Sequence, residues 1–281
     1  VLFTFIKKRP AFSHFGRNQK TSPLFSFLSE HIGAEFFLRI DIASFFPSIS
    51  ETLIKNEFSN LVTCSIEDEK TKILDLICEI VTLNGKLPQG ACTSPVVSNI
   101  VMARLDQRIT KYCQVFNVRY TRYADDLLFS SKSFDFAQKK WFIKKIKYIL
   151  ASQNLRLNYS KLKLGSKEFA LNGYIISADG IRLSRNRLSD IRHSVTFANS
   201  KHTLLITHGA DVFLSAANSM PLKYRDLKQY PFATVFQFVQ YLCGYRSFLI
   251  SMVDDNNPSS AFQKDLQRLI RRTEKAIARY S

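Results

Sequence analysis

The stretch Val118-Arg-Tyr-Thr-Arg-Tyr-Ala-Asp125-Asp126-Leu-Leu-Phe-Ser-Ser131 decides how this chain is read. Two short strand-like runs, Val118–Tyr123 and Leu127–Ser131, are separated only by Ala124, Asp125 and Asp126. So close a pair predicts a tight hairpin with its acidic residues at the bend. An acid pair at a bend is usually a solvated turn, and seen alone this one would be read so. Its flanks argue otherwise. Tyr123 precedes the acids and Leu127-Leu128-Phe129 follows, anchoring the bend on a rigid sheet as a site for chemistry requires.

Upstream, Glu35-Phe-Phe-Leu-Arg-Ile-Asp-Ile42 also reads as a strand. Its alternation puts Phe36, Leu38, Ile40 and Ile42 on one face and Phe37, Arg39 and Asp41 on the other. Between the two strand regions, residues 68–82 are expected to be helical, with Ile73, Leu76, Ile77, Ile80 and Val81 at helical spacing. A turn at Asn84-Gly85 and the helix-breaking Leu87-Pro88-Gln89-Gly90 come next. A second helix is expected from Pro95 to Tyr112, where Pro95 suits the first turn and Val97, Val101, Leu105 and Ile109 form a stripe. Downstream of the hairpin, residues 134–153 read as an amphipathic helix with a basic face of Lys139, Lys140, Lys144, Lys145 and Lys147. A last strand pair is expected within 155–177. The order strand, helix, hairpin, helix, strand is that of a split β-α-β unit. It would bring Asp41 beside the hairpin acids.

Three converging carboxylates repel each other at neutral pH unless cations neutralise them. Hard oxygen ligands suit Mg²⁺, which keeps several waters and binds substrate phosphates. Two such ions about 3.5–4 Å apart would stabilise both the attacking and the leaving oxygen of a phosphoryl displacement.

Composition points the same way. The chain has 281 residues and a formal charge of +17. That surplus opposes compaction by self-repulsion and calls for an anionic partner; nucleic acid fits, since each Lys or Arg that neutralises a phosphate releases a counterion. Forty-six per cent apolar residues suffice for a sizeable core. No apolar run reaches the roughly 18 residues of a membrane span. The apolar Val1–Phe5 is followed, rather than preceded, by basic residues, the wrong order for a secretory signal. The five cysteines (64, 78, 92, 113 and 243) have no paired spacing that suits zinc. They read as reduced, mostly buried thiols of a cytoplasmic protein.

At these residues the chain resembles the reverse transcriptases, in their bacterial retron-type form. Tyr123-Ala124-Asp125-Asp126 matches the hallmark hairpin of that family. Arg39-Ile-Asp41-Ile-Ala-Ser-Phe-Phe46-Pro-Ser-Ile49 matches its first carboxylate motif. Leu87-Pro-Gln89-Gly90-Ala-Cys-Thr-Ser-Pro95, running on to Ser98-Asn99, matches the motif between them. Asn158-Tyr-Ser-Lys161 looks like its lysine motif, and Phe169-Ala-Leu171-Asn172-Gly173-Tyr174 like its primer-gripping turn. Five motifs in order cover residues 12–178. Gly244-Tyr-Arg-Ser-Phe248 resembles a further retron-type segment.

The resemblance implies an α+β right-hand polymerase: a fingers remainder over 1–35, and a palm over 36–178 with finger elements between its first carboxylate motif and Leu87-Pro-Gln-Gly. A helical, RNA-binding thumb would follow over 179–281. It implies an RNA-directed DNA polymerase that joins dNTPs to a primer with two Mg²⁺ ions. Asp41, Asp125, Asp126 and the Ile42 carbonyl would be the ligands. Phe46 would be the steric gate against a ribose 2′-hydroxyl, with Phe45 buried. Gln89 would contact the incoming nucleotide, and Gly90 would let the backbone approach it. Lys161, with Lys163 as a competitor, would serve the leaving pyrophosphate as a general acid. Arg17 and Lys20 are expected at the triphosphate or in a solvated loop. Leu171, Asn172 and Gly173 would grip the primer. Lys264, Arg268, Arg271 and Arg272 would hold RNA along a helix at 260–280, following expected helices at 185–200 and 232–252. The implied partner is a structured noncoding RNA, with an effector protein in antiphage defence and no membrane.

The chain departs from the retron pattern in having Ser22-Pro-Leu-Phe-Ser26 before the first carboxylate and Leu171-Asn-Gly173 at the grip. A divergent retron enzyme and another bacterial defence reverse transcriptase both fit these departures; a group II intron-like maturase is a separate alternative, which predicts a further basic RNA-binding domain. A non-catalytic RNA-binding protein is opposed by the complete acid triad.

Overall fold

The computed structural model describes residues 27–253 and 261–280. Four strands make the first sheet: β1 (Phe36–Ile42), β2 (Arg119–Tyr123), β3 (Asp126–Ser131) and β4 (Leu157–Ser166), in the order β2-β3-β1-β4. All neighbours are antiparallel. The alternation of β1 sorts its side chains. Leu38, Ile40 and Ile42 join Leu127 and Phe129 of β3 in the core. Two helices cover that face, Ser94–Gln114 with Val97, Val101, Leu105 and Ile109, and Lys140–Ala151 with Phe142, Ile146, Ile149 and Leu150. Each such side chain contributes about 1.5–3 kcal/mol by leaving water. Pro95 stands in the first turn of its helix, where its missing N–H costs nothing. This is the α+β, split β-α-β arrangement expected from the sequence.

Several expectations need correction. The helix Glu67–Val81 does not bury the stripe read from its sequence. Ile73, Leu76 and Ile80 are 42%, 56% and 68% exposed, whereas Cys78 and Val81 are buried and Leu74 and Ile77 pack against the core. Its apolar residues surround much of the helix, so spacing alone did not choose a face. The helix after the hairpin is shorter than 134–153. Phe134 and Phe136 precede it as buried rings, each within 5.5 Å of the Phe142 centroid. The region 155–177 is not a strand pair. β4 joins the first sheet beside β1 with a bulge between Arg39 and Asp41. A second sheet then follows, ordered β5 (Glu168–Leu171), β6 (Tyr174–Ser177), β7 (Gly180–Leu183).

The chain divides into two compact units. One runs through Phe169 and takes back Ile176–Gly180; the other holds Ala170–Ile175 and the chain from Ile181 onward. The second unit is built on three helical stretches. Arg185–Asn218 outruns the expected 185–200 but is interrupted at Gly209, whose φ of 83° and ψ of 179° are not helical. Val235–Ile250 and Ala261–Ile277 follow. Ile191, Val195, Phe213, Phe238, Leu266 and Leu269 are buried there. Among the described residues no helix is long and apolar enough to cross a membrane. All five cysteines are free thiols; Cys78 and Cys113 are buried, but Cys92 is exposed, so the set is less buried than expected.

Candidate active site

Antiparallel register makes Asp41 of β1 and Asp126 of β3 direct partners. Asp125 lies in the two-residue turn closed by the Tyr123–Asp126 pair. Ala124 takes a φ of 52° there, the positive value such turns need and that Gly or Asn usually supplies. Held by Ala, it stores on the order of 1 kcal/mol. The Ile42 N–H donates to the Asp125 carbonyl at 3.0 Å, tying the bend to β1 one residue beyond Asp41. The structure thus brings Asp41, Ile42, Asp125 and Asp126 together.

Two basic side chains of the same sheet enter this cluster. Arg39 donates to Asp126 Oδ1 through Nε at 2.8 Å and Nη2 at 2.6 Å. The Lys161 ammonium donates to Asp41 Oδ2 at 3.2 Å. Lys163, its competitor in the sequence, pairs in register with Arg39 instead. Sequence reading gave Arg39 no role, although its position two residues before Asp41 on a strand placed it on the acid face. His31 was also missed. Its Nδ1 lies 2.7 Å from Ser130 Oγ and its Nε2 2.6 Å from Thr121 Oγ1. Burial, helped by Arg119, pushes its pKa down to about 3, so a neutral imidazole braces both hairpin strands.

Burial raises the Asp125 carboxyl above its ordinary range, and the charges of Asp126 and Asp41 raise it further against a backbone hydrogen bond. Burial raises Asp126 too, opposed chiefly by Arg39. Among the described residues no three His, Cys, Asp or Glu side chains stand in coordinating geometry. The carboxylate oxygens of Asp41 and Asp126 are turned to Lys161 and Arg39. The donor set nevertheless suits a hard cation: three carboxyls on neighbouring backbone, two of them held above their ordinary range chiefly by burial, which a bound cation would offset.

A measurable consequence follows from the sign of these shifts. A carboxyl with a raised folded pKa gives stability that is lost as pH rises through that value. Wild-type protein in EDTA should therefore lose thermal stability relative to Asp125→Asn as pH climbs above the ordinary carboxylate range near 4. Mg²⁺ should close the gap. A thermal-melt difference in EDTA that stays constant with pH would show that ionising Asp125 carries no such cost.

The remaining predicted residues fall as follows. Phe45 is buried and Phe46 half-buried, their ring centroids 5.3 Å apart. Leu87 N–H donates to the Ile49 carbonyl at 3.0 Å, so Gln89 and Gly90 follow a segment pinned just after Phe46. Both are exposed, and Gly90 has a φ of 93° that a larger residue would resist. In the second unit, Leu171 ends β5 as a buried side chain, and Asn172 and Gly173 make the β5–β6 turn, with φ of 50° at Asn172 and 84° at Gly173. Arg187 Nη1 donates to the Asn172 carbonyl at 2.9 Å, and its guanidinium sits 4.4 Å from the Phe248 ring centroid. Lys264, Arg268, Arg271 and Arg272 line one exposed face of the last helix. Arg17 and Lys20 lie outside the described residues.

The family described as "Reverse transcriptase (RNA-dependent DNA polymerase)" matches residues 4–176. Among curated proteins, the Retron Ec86 reverse transcriptase of Escherichia coli is 29% identical over 182 residues, 63% of this chain and 53% of that one. The Retron Ec48 reverse transcriptase of Escherichia coli is 28% identical over 170 residues, 59% of this chain and 40% of that one. The matched region thus spans about half the length of these relatives, or less. Among solved structures, apo telomerase from Candida tropicalis, truncated from its C-terminal domain, aligns with a TM-score of 0.45 and 12% identity. That alignment covers 65% of this chain and 43% of that one.

Proposed function

This chain belongs to the reverse transcriptase family, the RNA-dependent DNA polymerases, and from that premise we propose that it extends a primer along an RNA template with dNTPs. The observation that carries the reading is the meeting of Asp41 and Asp126 as register partners with Asp125 in the turn beside them, at residues that match the family motifs. In this proposal those carboxylates and the Ile42 carbonyl hold two Mg²⁺ ions. When bound, the ions activate the primer 3′-hydroxyl and stabilise charge on the leaving pyrophosphate.

The side chains have separable roles. Asp41 and Asp126 now neutralise Lys161 and Arg39. An ammonium 56% exposed and held by one hydrogen bond exchanges partners readily; Lys161 is therefore suited to meet pyrophosphate oxygens. Arg39, held through two nitrogens, fixes the Asp126 rotamer. Gln89 and the backbone at Gly90 contact the incoming nucleotide, and Leu171, Asn172 and Gly173 grip the primer. The exposed lysines of residues 140–147 and the basic face of the last helix follow nucleic-acid phosphates. The finer reading, a retron-type enzyme that copies a structured noncoding RNA in antiphage defence, is supported by the retron reverse transcriptases among its relatives. It is tested by extension of annealed DNA and RNA templates, together with sequencing of nucleic acid that co-purifies. Failure to extend any RNA-templated primer with Mg²⁺ present would overturn the polymerase reading.

Phe46 supplies a second test. Its half-buried ring packs beside the buried Phe45 and against the core, and in this proposal the part left uncovered meets the nucleotide sugar. Phe46→Ala should raise ribonucleotide incorporation relative to deoxyribonucleotide by about 10-fold or more, because a steric wall acts by exclusion. Steady-state competition between the two sugars reads the change. Unaltered discrimination in a folded variant would move the gate elsewhere.

A further inference from the structure

A charge is sealed inside the protein behind the acidic bend. Arg122 stands three residues before Asp125, yet its side chain has no exposed surface. Alternation along β2 explains the direction: Thr121 and Tyr123 share the acid face, so Tyr120 and Arg122 point beneath the sheet. There one guanidinium meets three partners. Nε and Nη2 reach Asp106 at 2.8–3.2 Å, Nη2 donates to Asn99 Oδ1 at 3.1 Å, and Nη1 donates to the Ala124 carbonyl at 3.0 Å. Asp106 also accepts from the Tyr120 hydroxyl at 2.8 Å.

Stability is a poor explanation for this arrangement. The cost of taking two charges out of water offsets most of their attraction, and apolar side chains of similar volume often serve as well. The distribution of the partners is more telling. Asn99 and Asp106 lie on the helix Ser94–Gln114, which begins four residues after Gly90. Ala124 is the bend residue in a strained, positive-φ conformation, and its carbonyl begins the peptide that leads into Asp125. A rigid planar fork joins the two.

We propose that Arg122, with Asp106 and Asn99, is a positioning network for catalysis. It fixes the Ala124–Asp125 peptide, and so the direction in which both hairpin carboxylates leave the sheet, relative to the helix that follows the nucleotide-contacting segment. None of the three touches substrate. The network acts through the bend, and the inference rests on the polymerase reading above.

Two variants test it. Asp106→Leu/Arg122→Met removes both buried charges together, while Arg122→Lys keeps both charges but lacks the planar fork that spans three partners. Each is compared with wild type in thermal midpoint, in the Mg²⁺ concentration giving half the maximal thermal shift, and in single-turnover extension on an RNA template. Wild-type extension is the control for the polymerase reading itself; its absence would sink that reading whatever the variants do. Given an active wild type, both variants should remain folded and lose about 10- to 100-fold in extension rate, with a several-fold higher Mg²⁺ midpoint, as when partners supporting metal ligands are removed. A folded variant that extends within about threefold of wild type at an unchanged Mg²⁺ midpoint would reduce the fork to core filling. If the double variant does not fold, Arg122→Lys decides on the same readouts. If neither folds, the network serves stability and the proposal fails.

Discussion

Asp125→Asn/Asp126→Asn should lower RNA-templated extension by at least about 10³-fold while leaving RNA affinity near that of wild type. The size follows from the chemistry assigned to the ions: charge stabilisation worth several kcal/mol, at a factor of ten per 1.36 kcal/mol. Asn preserves the shape of each side chain and removes the charge that would hold the ions. The two positions differ in what they leave behind. Asp125 makes no ion pair with Arg39 or Lys161, so its neutralisation removes a repulsive, partly buried charge. Asp126 is the partner of Arg39, and Asn there leaves that guanidinium with a weaker acceptor. Asp41→Asn should be equally inactive and should free Lys161. Thermal melts beside the single-turnover assay separate lost chemistry from lost structure. Substantial extension by a folded double variant would end the assignment of these carboxylates.

The parts of this arrangement that were legible in the sequence are those governed by short-range periodicity. Period-two alternation placed Arg39 and Asp41 on one face of β1, and two strand-like runs flanking three residues fixed the hairpin. The acids' convergence then followed from the split β-α-β order. Register partners Asp41 and Asp126 are its outcome. Where several faces of one element are apolar, periodicity loses its power. Helix Glu67–Val81 carries Ile73, Leu74, Leu76, Ile77, Ile80 and Val81, and only tertiary packing decides that Leu74, Ile77 and Val81 turn inward. The β4 bulge was hidden for a related reason, since Tyr159, Lys161 and Lys163 are mostly exposed and leave no apolar pattern to break.

Arg122 escaped notice because an arginine on a strand is ordinarily read as pointing to solvent. The signal was present in the alternation itself: the face opposite Tyr123 and Thr121 is the core face, and Arg122 must lie on it. A buried arginine needs an acid, and Asp106 lies on the stripe side of its helix near Leu105 and Ile109. Sequence cannot choose that partner among 23 acidic residues. Three-dimensional proximity does.

Replacing Lys264, Arg268, Arg271 and Arg272 together with Gln should weaken RNA binding by roughly 10²–10³-fold at physiological salt. It should also flatten the salt dependence, by about 0.7–0.9 units of slope for each phosphate no longer neutralised. The helix Ala261–Ile277 separates the two faces cleanly. Leu266, Leu269 and Ala276 are buried, whereas the four basic side chains are exposed together with Lys275. The substitutions leave the apolar face intact, so the fold should persist. Two of the four have ties within the protein. Arg268 lies 3.9 Å from Asp265, and Arg272 reaches Thr196 Oγ1 at 3.4 Å. Both interactions are exposed, and surface pairs of this kind contribute about 0–1 kcal/mol, so they do not bar the side chains from a phosphate. Binding through the phosphate backbone positions a nucleic acid without reading its sequence. The weakening should therefore be similar for unrelated structured RNAs in a filter-binding series from low to high salt. Extension on a short annealed primer–template should fall less than extension on a long structured RNA, because a short duplex offers fewer phosphates to this face. A quadruple variant with the wild-type salt slope would show this face to be merely solvated, and the affinity of a +17 protein for RNA would have to come from other basic surfaces, the lysines of residues 140–147 first among them.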